Sequence, residues 1–159
     1  MFIEPKGDVL LYVEDEILIQ AATTFALEDA GFKVLAAHSG AEALNIIATE
    51  QGPIDGLVTD INLGDGPDGW NVARRARERM PHMAVVYASS VGEDEWKARG
   101  VPHSELCAKH CEPSLVAGTM SKLIAGSARL LRRRNVLKTG EGWTGGMHER
   151  DRKTAAHSR

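Results

Sequence analysis

Asp8-Val9-Leu10-Leu11-Tyr12-Val13-Glu14-Asp15-Glu16 decides the fold. Its apolar part is too short for a helix and rich in branched and aromatic residues, so it reads as a strand. It does not alternate with polar residues, which implies burial on both faces, as in a parallel sheet. It stops abruptly on three acids. From Glu16 to Ala30 the helical spacing of Ile17, Leu18, Ala21 and Phe25 predicts a helix, with Gly31 placed to end it.

The same unit recurs downstream. Lys33–Ala37, Ile54–Thr59, Met83–Ala88 and a weak Leu106–Ala108 read as strands two to five. Ser39-Gly40-Ala41-Glu42 is a capping-box pattern opening a helix with Leu44 and Ile47. Further helices are predicted over Gly69–Met80, Glu93–Arg99, and Pro113 to about Arg133. Strands alternating with helices imply a doubly wound α/β fold: a five-stranded parallel sheet and five helices. In such sheets ligands bind outside the carboxyl ends of the strands.

The 159 residues suit one domain, over 1–131, with a basic tail, 132–159, expected to be disordered. Apolar residues are 43% and charged residues 26%, ordinary for a globular chain. Residues 1–128 carry 10 Lys+Arg against 19 Asp+Glu, and residues 129–159 carry 9 against 3. An acidic body repels phosphate backbones, so nucleic acid is not an expected partner, although the tail could touch something acidic. No apolar run spans a bilayer, the start has no secretory pattern, and two cysteines make no disulfide framework. A cytoplasmic protein with no membrane partner is expected.

The strand ends carry the chemistry. Glu14 and Asp15 end the first strand, Asp60 the third, Ser89-Ser90 the fourth and Lys109 the fifth. Carboxylates crowded into one cleft disfavour joint ionisation unless a cation is present, and hard oxygen ligands suit Mg²⁺. An added hydroxyl and ammonium can neutralise a phosphoryl group while a carboxylate attacks it. Singly, Asp15 is as readily a helix cap, Asp60 a turn former and Lys109 a solvated surface residue. Together, at four strand ends, they outweigh those readings.

Over residues 7–131 the chain resembles the receiver domain of two-component response regulators, whose fold is flavodoxin-like. Glu14-Asp15, the Asp60 of Leu57-Val58-Thr59-Asp60-Ile61-Asn62-Leu63, Ser89 and Lys109 match that family's motifs in order and spacing. The resemblance implies Asp60 as phosphoacceptor and Asp15 as a direct Mg²⁺ ligand with Glu14 close by. It implies the Asn62 backbone carbonyl as a further ligand, with Ser89 and Lys109 on the phosphoryl oxygens. The implied phosphodonor is a histidine kinase or histidine phosphotransfer protein. Asp60 to Trp70, with Tyr87-Ala88-Ser89-Ser90, looks like a subgroup of stand-alone receivers. Such a chain is not an enzyme on other molecules; it signals through a downstream protein or relays the group, and its state of association, a homodimer included, stays open.

Two positions depart from the family pattern. Lys109 is followed by His110-Cys111 rather than proline and an aromatic, so a trans bond and a reshaped loop are expected. Leu106 stands where many members carry a switching aromatic, and Tyr87 reads as packing rather than its replacement. These departures keep a second reading alive, a pseudo-receiver that binds partners without phosphorylation. A haloacid-dehalogenase-type phosphatase needs a second aspartate where Asn62 stands.

Other patterns are decoys. Gly64-Asp65-Gly66-Pro67-Asp68-Gly69 fits a dinucleotide loop, but its aspartates would repel a pyrophosphate. His103, Cys107, His110 and Cys111 invite zinc, but the strand carrying Cys107 would have to break. The calcium-loop start Asp60-Ile61-Asn62 fails at Asp65 and Asn71. Glu93-Asp94-Glu95 reads as a helix start, and Arg74, Arg75, Arg77 and Arg79 as a solvated face. Arg132-Arg133-Arg134 reads as a helix end rather than a docking element.

Overall fold

The computed structural model describes residues 7–139. Strands β1 (Val9–Val13), β2 (Lys33–Ala37), β3 (Gly56–Thr59), β4 (Ala84–Ser89) and β5 (Glu105–Ala108) alternate with helices α1 (Ile17–Asp29), α2 (Gly40–Thr49), α3 (Gly69–Arg79), α4 (Glu93–Arg99) and α5 (Pro113–Thr139). All strand pairs are parallel, in the order β2-β1-β3-β4-β5. The chain runs outward from β1 to β2, then crosses back to place β3 on the other side of β1. That reversal opens a crevice at the carboxyl ends of β1 and β3, where Val13 pairs with Thr59.

Alternate strand residues feed two cores. Leu11, Val13, Leu57, Val85 and Tyr87 pack with Ala43, Ile47, Val72, Ala73 and Ala76 of α2 and α3. On the opposite face Leu10, Tyr12, Val58 and Val86 pack with Leu27 of α1 and Val116, Ala117 and Met120 of α5. Burial on both faces is why β1 and β3 read as unbroken apolar runs.

Local signals set the helix ends. Ser39 Oγ accepts from Glu42 N at 3.1 Å, and Glu42 answers by accepting from His38 N at 2.8 Å. Gly31, at φ 98°, ends α1: its N–H donates to Glu28 O, and Phe32 N–H donates to Leu27 O. This is a Schellman arrangement, in which Leu27 and Phe32 enter the same core. In the decoy loop Gly64 and Gly66 take positive φ, and Asp68 caps α3 by accepting from Asn71 N at 2.9 Å. Glu93, Asp94 and Glu95 fill the first turn of α4, with Lys97 and Arg99 in its last.

The structure adds one finding on α1 and corrects two expectations. The residues of α1 that define its helical period do not pack inward: Ile17, Leu18 and Phe25 are 72%, 85% and 72% exposed. Its buried face is Gln20, Thr23 and Leu27, two of the three polar. Arg77 is not a solvated member of its helix face; Nε donates to Met83 O and Nη1 to Pro102 O, both at 2.7 Å. Finally, α5 continues to Thr139, because no glycine or proline interrupts it after Gly126 and its arginines and leucines favour helix. The last helix thus ends six residues beyond the expected end at about Arg133, and positions 140–159 of the basic tail lie outside the described residues.

Candidate phosphoacceptor and cation site

The acids meet because β1 and β3 are neighbours. Asp60 follows the last residue of β3, its N–H donating to Val13 O at 3.1 Å, which brings it beside Glu14 and Asp15. One oxygen from each of Glu14, Asp15 and Asp60 lies within 4.8 Å of the other two. Asp60 and Glu14 are buried, whereas Asp15 is exposed at the rim.

Asp15 is not a helix cap. The N-cap of α1 is Glu16, with no side-chain cap bond, which removes the plainer reading of Asp15. Glu14 Oε1 accepts from Glu16 N at 3.3 Å. Burial, and then the negative charge of Asp60, push Glu14 up to about 7, with only the Glu16 N–H and Lys109 opposing. The backbone behind Glu14 is braced by Gln20, whose Nε2 donates to Glu14 O at 3.2 Å and Ala37 O at 2.8 Å.

Asp60 is held from two sides. Its Oδ1 accepts from Ile61 N at 2.6 Å and its Oδ2 from Lys109 Nζ at 2.9 Å. The bond to Asp60 holds Lys109 protonated well above the ordinary lysine range, against the opposing cost of burial. Lys109 also reaches Glu16 Oε1 at 3.3 Å. Glu16 is therefore a member of the cluster that the motif pattern missed; its place directly after Glu14-Asp15 was the available signal.

Lys109 arrives from β5 by a turn in which its N–H donates to Ser89 O at 2.9 Å. All peptide bonds among the described residues are trans, and the turn is closed by His110 in the left-handed region, at φ 69°. The chain thus aims Lys109 at Asp60 without a proline. Ser89 is 1% exposed and its Oγ has no hydrogen-bond partner. An orphaned buried hydroxyl costs free energy, and at this strand end it can donate to an anionic oxygen.

Asn62 lies two residues beyond Asp60 and is exposed. The preceding carbonyl, of Ile61, is taken by Gly69 N at 2.8 Å. His103, Cys107, His110 and Cys111 do not form a metal-ligating group; among the described residues only Glu14, Asp15 and Asp60 do. Tyr87 is a packing residue, its ring 4.8 Å from that of Trp70 and its hydroxyl accepting from Val101 N at 3.2 Å.

The donor set fits a hard divalent cation. Three carboxylate oxygens converge, one of them on a residue whose burial makes its lone charge unfavourable, and no soft ligand is among them. Among the described residues no helix is long and apolar enough to cross a membrane.

Comparison with known proteins agrees with this geometry. Residues 10–104 match the model of the response regulator receiver domain. The chain is 33% identical over 93 residues to the sensor kinase CckA of Brucella abortus, a match covering 58% of this chain and about a tenth of that protein. A response regulator receiver protein from Sinorhizobium medicae is 37% identical, with a TM-score of 0.73, over 77% of this chain and 98% of that one. A receiver domain protein from Clostridium thermocellum is 26% identical, with a TM-score of 0.69, over 77% and 98%. The receiver domain of the hybrid histidine kinase CckA is 25% identical, with a TM-score of 0.62, over 73% and 98%. The chain belongs to the response regulator receiver domain family.

Proposed function

We propose that this receiver is a phosphorylation switch, taking a phosphoryl group on Asp60 from a phosphohistidine of a histidine kinase or phosphotransfer protein. The observation that carries the reading is the pairing of Lys109 Nζ with Asp60 Oδ2 beside a buried, unpartnered Ser89 Oγ. Asp60 Oδ attacks phosphorus in line, the phosphorus–nitrogen bond to the donor imidazole breaks, and the imidazole leaves with the electron pair. Lys109 and the Ser89 hydroxyl then bond the phosphoryl oxygens. Glu14, Asp15 and Asp60, with the Asn62 backbone carbonyl, would hold Mg²⁺, which supplies charge neutralisation at those oxygens. Phosphorylation adds up to about two negative charges in a site that already holds three acids, which gives the loops around it reason to move. A protein partner reads that movement, or the group is passed on.

The test is intact-mass measurement after incubation with acetyl phosphate and Mg²⁺. A gain of one phosphoryl group is expected in the parent, and none in Asp60→Asn or without Mg²⁺. Labelling that persists in Asp60→Asn would defeat the assignment. No labelling of a folded parent would favour the second reading, a phosphorylation-independent binding module, which rests on the His110-Cys111 replacement and on Leu106.

A further inference from the structure

Lys109 has two acid partners, and they lie at different depths. Asp60 Oδ2, 2.9 Å from Nζ, belongs to a buried side chain. Glu16 Oε1, 3.3 Å from Nζ, belongs to one that is 56% exposed, and the lysine side chain falls between them at 22%. The three charges step outward from the floor of the cleft to its rim, with the ammonium between the carboxylates.

Glu16 leaves another bond unmade to hold this contact. It is the N-cap of α1, with extended backbone angles of φ −83° and ψ 111°, the position whose side chain ordinarily accepts from the first free N–H groups of the helix. Its side chain makes no such bond. Its own N–H donates to Glu14 Oε1 at 3.3 Å. Residue 16 therefore joins a cation-site acid, through its backbone, to the lysine, through its carboxylate. An ion pair this exposed adds little to stability, so the consequence of the contact lies in where it holds Lys109.

We propose that Glu16 is a positioning residue for phosphoryl transfer, holding the Lys109 ammonium toward the mouth of the cleft so that it can pass from Asp60 to the incoming group. The inference rests on Asp60 being the phosphoacceptor. Because Asp60 is buried, the phosphoryl group reaches it through the open side of the cleft, where Glu16 lies. With acetyl phosphate as donor, an Asp60 oxygen forms the bond to phosphorus, the bond from phosphorus to the acetate oxygen breaks, and acetate leaves with the electron pair. The negative charge then sits on the phosphoryl oxygens, and the ammonium must follow it outward. With three protons to donate, Lys109 can keep Glu16 while it exchanges Asp60 for a phosphoryl oxygen. Without Glu16 it is drawn onto Asp60 alone and has farther to move.

The rate of phosphoryl uptake from acetyl phosphate at saturating Mg²⁺ is read by intact mass for the full chain and its Glu16 variants. Glu16→Asp separates position from charge: it keeps the carboxylate and is the better helix cap, but is one methylene shorter. Uptake should slow about two- to fivefold in Glu16→Asp and Glu16→Ala. Glu16→Asp should do so with parental Mg²⁺ affinity and a thermal midpoint no lower than the parent's. Glu16→Gln, whose amide oxygen still accepts from an ammonium, should keep more of the rate than Glu16→Ala. In a Lys109→Met background the Glu16 changes should have no effect. Parental uptake in both Glu16→Asp and Glu16→Ala, or an equal loss in the Lys109→Met background, overturns the positioning role and leaves the switch standing. A folded parent that takes up no phosphoryl group removes the reaction itself, and the role of Glu16 in it.

Discussion

Lys109 and Asp60, 49 residues apart in sequence, meet with Nζ 2.9 Å from Oδ2, and the carboxylate is almost wholly shielded from water. Neither β3 nor β5 alone could place this pair. It exists because β4 stands between the two strands and holds the Lys109 amide on Ser89 O.

Replacing Lys109 with methionine keeps the stem and removes the charge. A buried carboxylate left without its cation costs about 3 kcal/mol, so urea unfolding at neutral pH should show a deficit of that order. Lys109 is held above its ordinary range, so its contribution is complete below about pH 10.5 and fades only as pH climbs through the raised value. The gap between parent and variant should thus be flat through neutrality and narrow in alkali. Phosphoryl uptake should fall at least about tenfold. Equal stability and equal uptake would remove Lys109 from the site.

Glu14 predicts the opposite sign. An acid raised to about 7 in the folded chain costs stability once pH passes its ordinary value, fully so above about pH 7. Without divalent cations, Glu14→Gln should stabilise the fold by roughly 1–3 kcal/mol near pH 8 and by nothing near pH 4. Mg²⁺ must compete with that proton, so its affinity, read by calorimetry, should drop up to about tenfold per pH unit below about pH 7. A pH-independent Mg²⁺ affinity, or a destabilised Glu14→Gln at pH 8, would count against the acid cluster as the cation site.

The sheet and the strand-end acids were legible because their signals are local: unbroken apolar runs, then charge. The inward face of α1 was not. Ile17, Leu18 and Phe25 carry the helical period, yet the buried positions are Gln20, Thr23 and Leu27, two of them polar, and Gln20 is held by a bond to Ala37 O that only the folded sheet creates. Glu16 escaped notice for a related reason. Its partner, Lys109, follows β5, four strands later, and no spacing rule links the two.

Tyr87 ties β4 to the segment after α4. Its hydroxyl accepts from the buried Val101 N, while its ring stacks at a tilt on Trp70. Tyr87→Phe keeps the ring and orphans the amide, which should cost about 1–3 kcal/mol in thermal or urea unfolding. Ordinary phosphoryl uptake is expected in this variant if Tyr87 is packing alone; a change in uptake at unchanged stability would make it part of the switch.

Gly69 bears on the site from behind. A Cβ there would lie 2.1 Å from Asp60 O and 2.7 Å from Ile61 Cα, and both obstacles are backbone rather than a side chain that could swing away. Its own N–H holds Ile61 O at 2.8 Å, so α3 cannot retreat without releasing that bond. Gly69→Ala must therefore move the segment that carries Asp60, at a cost of about 1–3 kcal/mol for overpacking. The displacement should also loosen the three-acid cluster, lowering Mg²⁺ affinity although no ligand has changed. Calorimetry at a temperature where the variant is folded separates the two effects: weakened Mg²⁺ binding by a folded chain places Gly69 in the support of the site. Unchanged affinity and unchanged stability would mean that the close approach of α3 to Asp60 is not what positions the phosphoacceptor.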